Sequence, residues 1–120
     1  MTSGERIEMQ ANGETIDWAH EELGLNYREI AMAMRAHERT VMRWRARETL
    51  AGPRYRERIE SLRELRHLMG EVFADEESAQ RWLHGSVPAL RGRTPISYVR
   101  AGRVGRIVEL LATFQSGAFR

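Results

Sequence analysis

The sequence predicts an all-α protein of about seven helices, on three observations. Apolar residues recur at helical spacing, as in Tyr55, Ile59, Leu62, Leu65, Met69 and Val72, or Val104, Ile107, Leu110, Leu111 and Phe114. Start and stop signals bracket these runs: capping residues at Thr15, Asn26, Asp75 and Thr94, proline in the first helical position at Pro53 and Pro95, and glycine at Gly24. No segment alternates in the manner of a strand, and no repeat or low-complexity tract occurs.

Taken in order, residues 1–14 are polar, and Asn12-Gly13 is a turn signal, so a loose arm is expected there. Thr15 caps a short helix from Ile16 to about Leu23, stopped at Gly24. Asn26 with Glu29 forms a capping box for a second helix, and Leu25 and Ile30 are placed as its hydrophobic staple. A turn through Arg35-Ala36-His37 leads to a third helix from Glu38 to about Arg47, with Val41 and Trp44 on its inner face. Gly52-Pro53 starts a fourth helix. Asp75 caps a fifth, from Glu76 to about His84. Residues 85–93 are an irregular loop, Thr94-Pro95 opens a short sixth helix to about Arg100, and Val104 begins the seventh. The expected organisation is an arm (1–14), a helix-turn-helix (15–52), a connecting helix (53–71) and a small helical domain (72–120).

Composition narrows the function. The chain has 120 residues, 42% of them hydrophobic, which suffices for a modest core. It has no cysteine, so disulfides, thiolate metal sites and cysteine nucleophiles are excluded. No apolar run approaches a membrane span and the first residues lack a signal-peptide pattern, so a cytoplasmic protein without membrane contact is expected. Net charge is only +2, but it is unevenly spread: −5 over residues 1–34, +5 over 35–66, −3 over 67–90 and +5 over 91–120. All 19 basic residues are Arg, which makes planar bidentate contacts that Lys cannot.

The first basic block falls on the helix-turn-helix, whose second helix enters the major groove. Arg39 and Arg43, one turn apart on the outer face, are the expected base contacts. Thr40, Tyr27 and Arg28 are expected at phosphates, and Arg35, Arg45 and Arg47 add sequence-independent attraction. The stretch LNYREIAMAMRAHERTVMRW resembles the Xre-type motif, in which an Ile-Ala pair packs the first helix and Thr-Val-x-x-Trp anchors the second. It departs where the family usually has Gly (Arg35) and a Ser or Asp cap (His37).

The second basic block lies within a more specific pattern. Phe73-Ala74, Trp82-Leu83, Pro88-Ala89-Leu90-Arg91-Gly92-Arg93-Thr94-Pro95 and Gly117 follow one another in the order of the toxin-binding domain of the Xre/MbcA/ParS antitoxins, which this part resembles; Arg91 stands where that family often has a second Gly. Each motif residue has a structural role. Leu90 plugs the loop into the core, Gly92 permits positive φ, and Thr94 caps the helix opened by Pro95.

The resemblance implies an antitoxin of a type II toxin–antitoxin system that neutralises a RES-domain, NAD-degrading toxin and represses its own operon. Contacts to the toxin are then expected from the exposed Arg91, Arg93, Arg103 and Arg106 and from the tail Gln115, Ser116, Gly117, Ala118, Phe119 and Arg120. Expected partners are that toxin, operator double-stranded DNA and a second copy of the chain. The rival readings are a stand-alone transcription regulator whose C-terminal domain only dimerises, and an interaction protein with a degenerate helix-turn-helix.

Nothing points to catalysis. His20, His37, His67 and His84 lack metal-ligand spacing, and Glu64-x-x-His67 is half of a helical di-iron motif with no second copy. No phosphate loop, nucleophile elbow or zinc-protease motif is present. No enzyme activity, cofactor or metal is expected.

Overall fold

The computed structural model describes residues 1–117, and all regular structure among them is helical. Seven α-helices and one 3-10 turn follow in order: α1 (Ser3–Glu21), α2 (Tyr27–Met34), α3 (Glu38–Arg45), α4 (Pro53–Val72), α5 (Glu76–His84), the 3-10 turn (Pro88–Leu90), α6 (Pro95–Arg100) and α7 (Val104–Gln115). Among the described residues, no helix is long and apolar enough to cross a membrane.

The expected N-terminal arm is corrected by the structure: residues 3–14 belong to α1, which begins twelve residues before Thr15. Thr2 and Glu5 form a reciprocal capping box, with the Glu5 N–H 3.0 Å from Thr2 Oγ1 and the Thr2 N–H 3.1 Å from Glu5 Oε1. Thr15 is no cap. Its hydroxyl donates to the Ala11 carbonyl one turn back, at 2.8 Å, and its side chain is buried. Asn12-Gly13 makes no turn because tertiary contacts occupy both residues. Buried Asn12 accepts from Arg63 of α4 at 2.6 Å, and a Cβ on Gly13 would sit 2.5 Å from the Arg47 Nε.

The remaining helix signals act where expected. Asn26 and Glu29 form the second capping box, Asp75 Oδ1 accepts from the Ser78 N–H at 2.7 Å, and Thr94 Oγ1 accepts from the Ser97 N–H at 3.3 Å. Gly24 (φ 73°) reverses the chain after α1, and Arg35 (φ 53°) does the same after α2.

One continuous core runs from Ile16 of α1 to Leu111 of α7. Its largest wholly buried members include Trp44, Ile30, Leu62, Leu65, Leu83, Leu90 and Ile107. Each buried aliphatic side chain of this size contributes about 1.5–3 kcal/mol. The long α4 packs along α7 and also against α1 and α2. It therefore carries both halves on one helix. A second joint runs from α2 to α6. Arg100 Nε donates to Glu29 Oε2 at 2.9 Å, and Gly102 lies so close to α2 that a Cβ would be 3.1 Å from the Ala33 carbonyl.

Candidate nucleic-acid and partner interfaces

Two surfaces take form, one on each half. The first is the outer face of α3. Burial of Val41 and Trp44 fixes the rotation of this helix, so Arg39 and Arg43 are exposed on the opposite side. Together with Thr40 and His37 they line one shallow concavity. His37 is the N-cap of α3 and makes no side-chain cap, so this end keeps backbone N–H groups without a capping side chain. Arg35 supplies the turn between the two helices in a left-handed conformation (φ 53°, ψ 44°), with its side chain exposed. The amides around it are satisfied: Arg35 N–H donates to the Met32 carbonyl at 3.2 Å and Ala36 N–H to that of Ala31 at 2.9 Å. Arg28 is exposed in the first turn of α2.

Three other residues expected at this face are occupied within the chain. Both terminal nitrogens of Arg47 stand 3.1 Å from Asp17 Oδ2 on α1, so this guanidinium holds the turn after α3 to α1. Arg45 shares Asp17 at 3.7 Å and lies over the Tyr27 ring, 5.4 Å from its centre. Tyr27 in turn stacks on His20, with ring centres 4.3 Å apart and planes 18° from parallel. The local pattern gave no sign of the Asp17 partnership, because thirty residues separate Asp17 from Arg47.

Arg54 and Arg56, exposed at the start of α4, were missed by the sequence reading. Arg54 lies over the Tyr55 ring at 5.7 Å, and Tyr55 meets Trp44 edge-on at 5.0 Å. The first turn of α4 carries no acidic residue, which is the signal that was available.

The second surface surrounds the 3-10 turn. Leu90 is buried and anchors the loop, while Arg91 (φ 57°) and Gly92 (φ 78°) reverse it. Backbone bonds from the Val87 N–H to the Arg93 carbonyl and from the Arg93 N–H to the Leu90 carbonyl, both 3.1 Å, close it. Arg93 and Arg103 line a concavity with Thr94, Ser97 and Tyr98, and the Arg103 guanidinium lies 5.7 Å from the centre of the Tyr98 ring. Arg106 donates to the Ala89 carbonyl at 3.3 Å, which ties α7 to the same loop. The structure thus gathers Arg91, Arg93, Arg103 and Arg106 around one loop; Tyr98 was not foreseen.

Behind this surface, Trp82 sits between Phe73 (5.4 Å) and Phe114 (6.3 Å), and Leu83 is wholly buried, so these motif residues build the fold. α7 ends at Gln115, Ser116 Oγ donates to the Thr113 carbonyl at 2.9 Å, and Gly117 has φ 78°. Ala118, Phe119 and Arg120 lie outside the described residues. Among the described residues no cluster of side chains suits a metal ion.

The profile of the antitoxin Xre/MbcA/ParS C-terminal toxin-binding domain matches residues 70–117. Over 105 residues the chain is 29% identical to the mycobacterial cidal antitoxin MbcA of Mycobacterium bovis and of Mycobacterium tuberculosis, covering 88% of this chain and 92% of the relative. In the crystal structure of the M. tuberculosis MbcT–MbcA toxin–antitoxin complex, one chain superposes with a TM-score of 0.60 at 28% identity, over 90% of this chain and 96% of that one. With that domain carrying the second basic surface, and with likeness extending through the helices of the first, the chain carries an Xre/MbcA/ParS toxin-binding domain at residues 70–117 and is similar over most of its length to MbcA antitoxins.

Proposed function

We propose that this chain neutralises a RES-domain, NAD-degrading toxin through residues 72–120 and represses its own operon by binding operator DNA through residues 15–52. The observation that carries the reading is the toxin-binding domain at residues 70–117, set in a chain alike over most of its length to a protein solved in a toxin–antitoxin complex. The gathering of Arg91, Arg93, Arg103 and Arg106 on that domain supports the first activity. Exposed Arg39 and Arg43, with half-buried Thr40 between them, on one face of α3 support the second. On this reading the protein acts in the cytoplasm, performs no catalysis itself, and works as a homodimer or as a hetero-oligomer with its toxin. Paired half-sites suit a dimer, since one helix reads few bases.

The test is purification from the native host at high salt, followed by an NAD-consumption assay on the partner. Salt removes DNA-bridged proteins. A stoichiometric partner that consumes NAD only once this chain is removed is the expected result. Absence of such a partner sinks the toxin reading and leaves a stand-alone regulator. Deleting residues 115–120 tests the tail: full inhibition by the truncated chain would exclude obstruction of the NAD site by these residues.

A further inference from the structure

The segment that carries α6 and its loop is strongly basic. From residue 78 to residue 117 the sole carboxylate is Glu109, whereas Arg81, Arg91, Arg93, Arg100, Arg103 and Arg106 fall in the same span. Arg81 pairs with Glu77 and Arg100 with Glu29, which leaves Arg91, Arg93, Arg103 and Arg106 without an ion pair among the described residues. Two of these four, Arg93 and Arg103, face a shared concavity whose wall is Thr94, Ser97 and Tyr98. The walls are fixed: Ser97 Oγ donates to the Thr94 carbonyl at 2.6 Å, Ser86 Oγ to the Gly92 carbonyl at 2.6 Å, and Leu90 and Val99 bury the loop and helix from below.

We propose that this concavity is a receptor for one carboxylate side chain, an Asp or Glu, projecting from the protein partner. The inference rests on the toxin-binding reading and names the chemistry of the partner's contact. Two arginines lining one recess offer planar guanidinium donors suited to the two oxygens of a carboxylate, and a charge-assisted pair of this kind is about twice as strong as a neutral hydrogen bond. The partner's carboxylate also relieves the repulsion between two like charges held at one site. A protein carboxylate is favoured over a nucleic-acid phosphate by position. The recess belongs to the toxin-binding domain at residues 70–117.

The experiment titrates the full-length chain against the toxin purified from its own complex, with wild type, Arg93→Gln, Arg103→Gln and Arg103→Glu compared. Melting curves matching wild type establish that the variants fold. Each Gln variant is expected to weaken binding on the order of 10- to 100-fold, and Arg103→Glu more. Lys substitutions along the acidic residues of the toxin should include one that restores binding to Arg103→Glu while weakening wild type. Wild-type affinity in both Gln variants overturns the receptor without touching the antitoxin reading, which fails only if wild type itself binds no toxin. Gln variants that bind toxin normally but lose about one unit each from the salt slope of operator binding also overturn it, by making the recess a phosphate site.

Discussion

Three arginines hold left-handed backbone: Arg35 (φ 53°), Arg47 (φ 57°) and Arg91 (φ 57°). A side chain there costs about 1–2 kcal/mol relative to glycine. The three sites differ in what the side chain returns. Arg35 is exposed and makes no side-chain bond, so Arg35→Gly should stabilise the chain by up to about 1 kcal/mol, glycine's greater freedom in the unfolded chain offsetting part of the relief. Arg47 holds Asp17 with two nitrogens and leans on Gly13, so Arg47→Gly should lower the melting temperature although the backbone strain is the same. Thermal unfolding of the two variants measures this directly, and equal shifts would refute the argument. The strain at Arg35 and Arg91 was legible, since family resemblance places glycine at both. That at Arg47 was not, because the third helix was expected to run on to Arg47 and in fact ends at Arg45.

Helix ends show how charge and acidity are wired into single elements. Asp75 caps α5, and the Ser78 backbone N–H holds its carboxyl below the usual range. That cap contributes above the unfolded-state pKa and is lost as pH falls through the lowered value. Glu22, at the C-terminal end of α1, is shifted the other way, first by a hydrogen bond with Glu76 that needs one of the two carboxyls protonated, then by desolvation and by the charges of Glu76 and Glu21, with Arg66 opposing. Its raised pKa means that stability present at low pH is lost as pH rises through the folded value. Asp75→Ala should therefore lower the melting temperature at pH 7 and close the gap toward pH 3. Glu22→Gln should raise it at pH 7 and have no effect near pH 4. Melting curves across pH check both signs.

The same scale shows where sequence reading stopped. α2, α5 and α6 announce themselves by side-chain caps, α4 by its leading proline, and α3 and α7 by apolar spacing. The first half of α1 does not. Its Asn12-Gly13 is tolerated inside a helix through Arg63 and Arg47, which lie 51 and 34 positions away and are invisible to any local pattern.

At the scale of the molecule, the two proposed activities share one core. The buried cluster is continuous from Ile16 to Leu111, and Leu65 of α4, with no exposed surface, sits within it on the helix that packs against α1, α2 and α7. Leu65→Ala leaves a cavity costing about 2–5 kcal/mol. That is a large share of the roughly 5–15 kcal/mol that holds a small domain folded. Both surfaces should then weaken together, in one cooperative transition seen alike by circular dichroism and by Trp fluorescence. Arg39→Ala with Arg43→Ala removes two exposed side chains that the core does not use. This pair should reduce operator affinity by about 1–3 kcal/mol per base contact and leave melting and toxin inhibition unchanged. Two transitions in Leu65→Ala would show that the halves fold independently. Loss of toxin inhibition in the Arg39 and Arg43 variant would place the toxin across both surfaces. On the proposed function, separate surfaces on one shared core allow substitutions on α3 to alter DNA binding alone, while changes to α4 alter both activities.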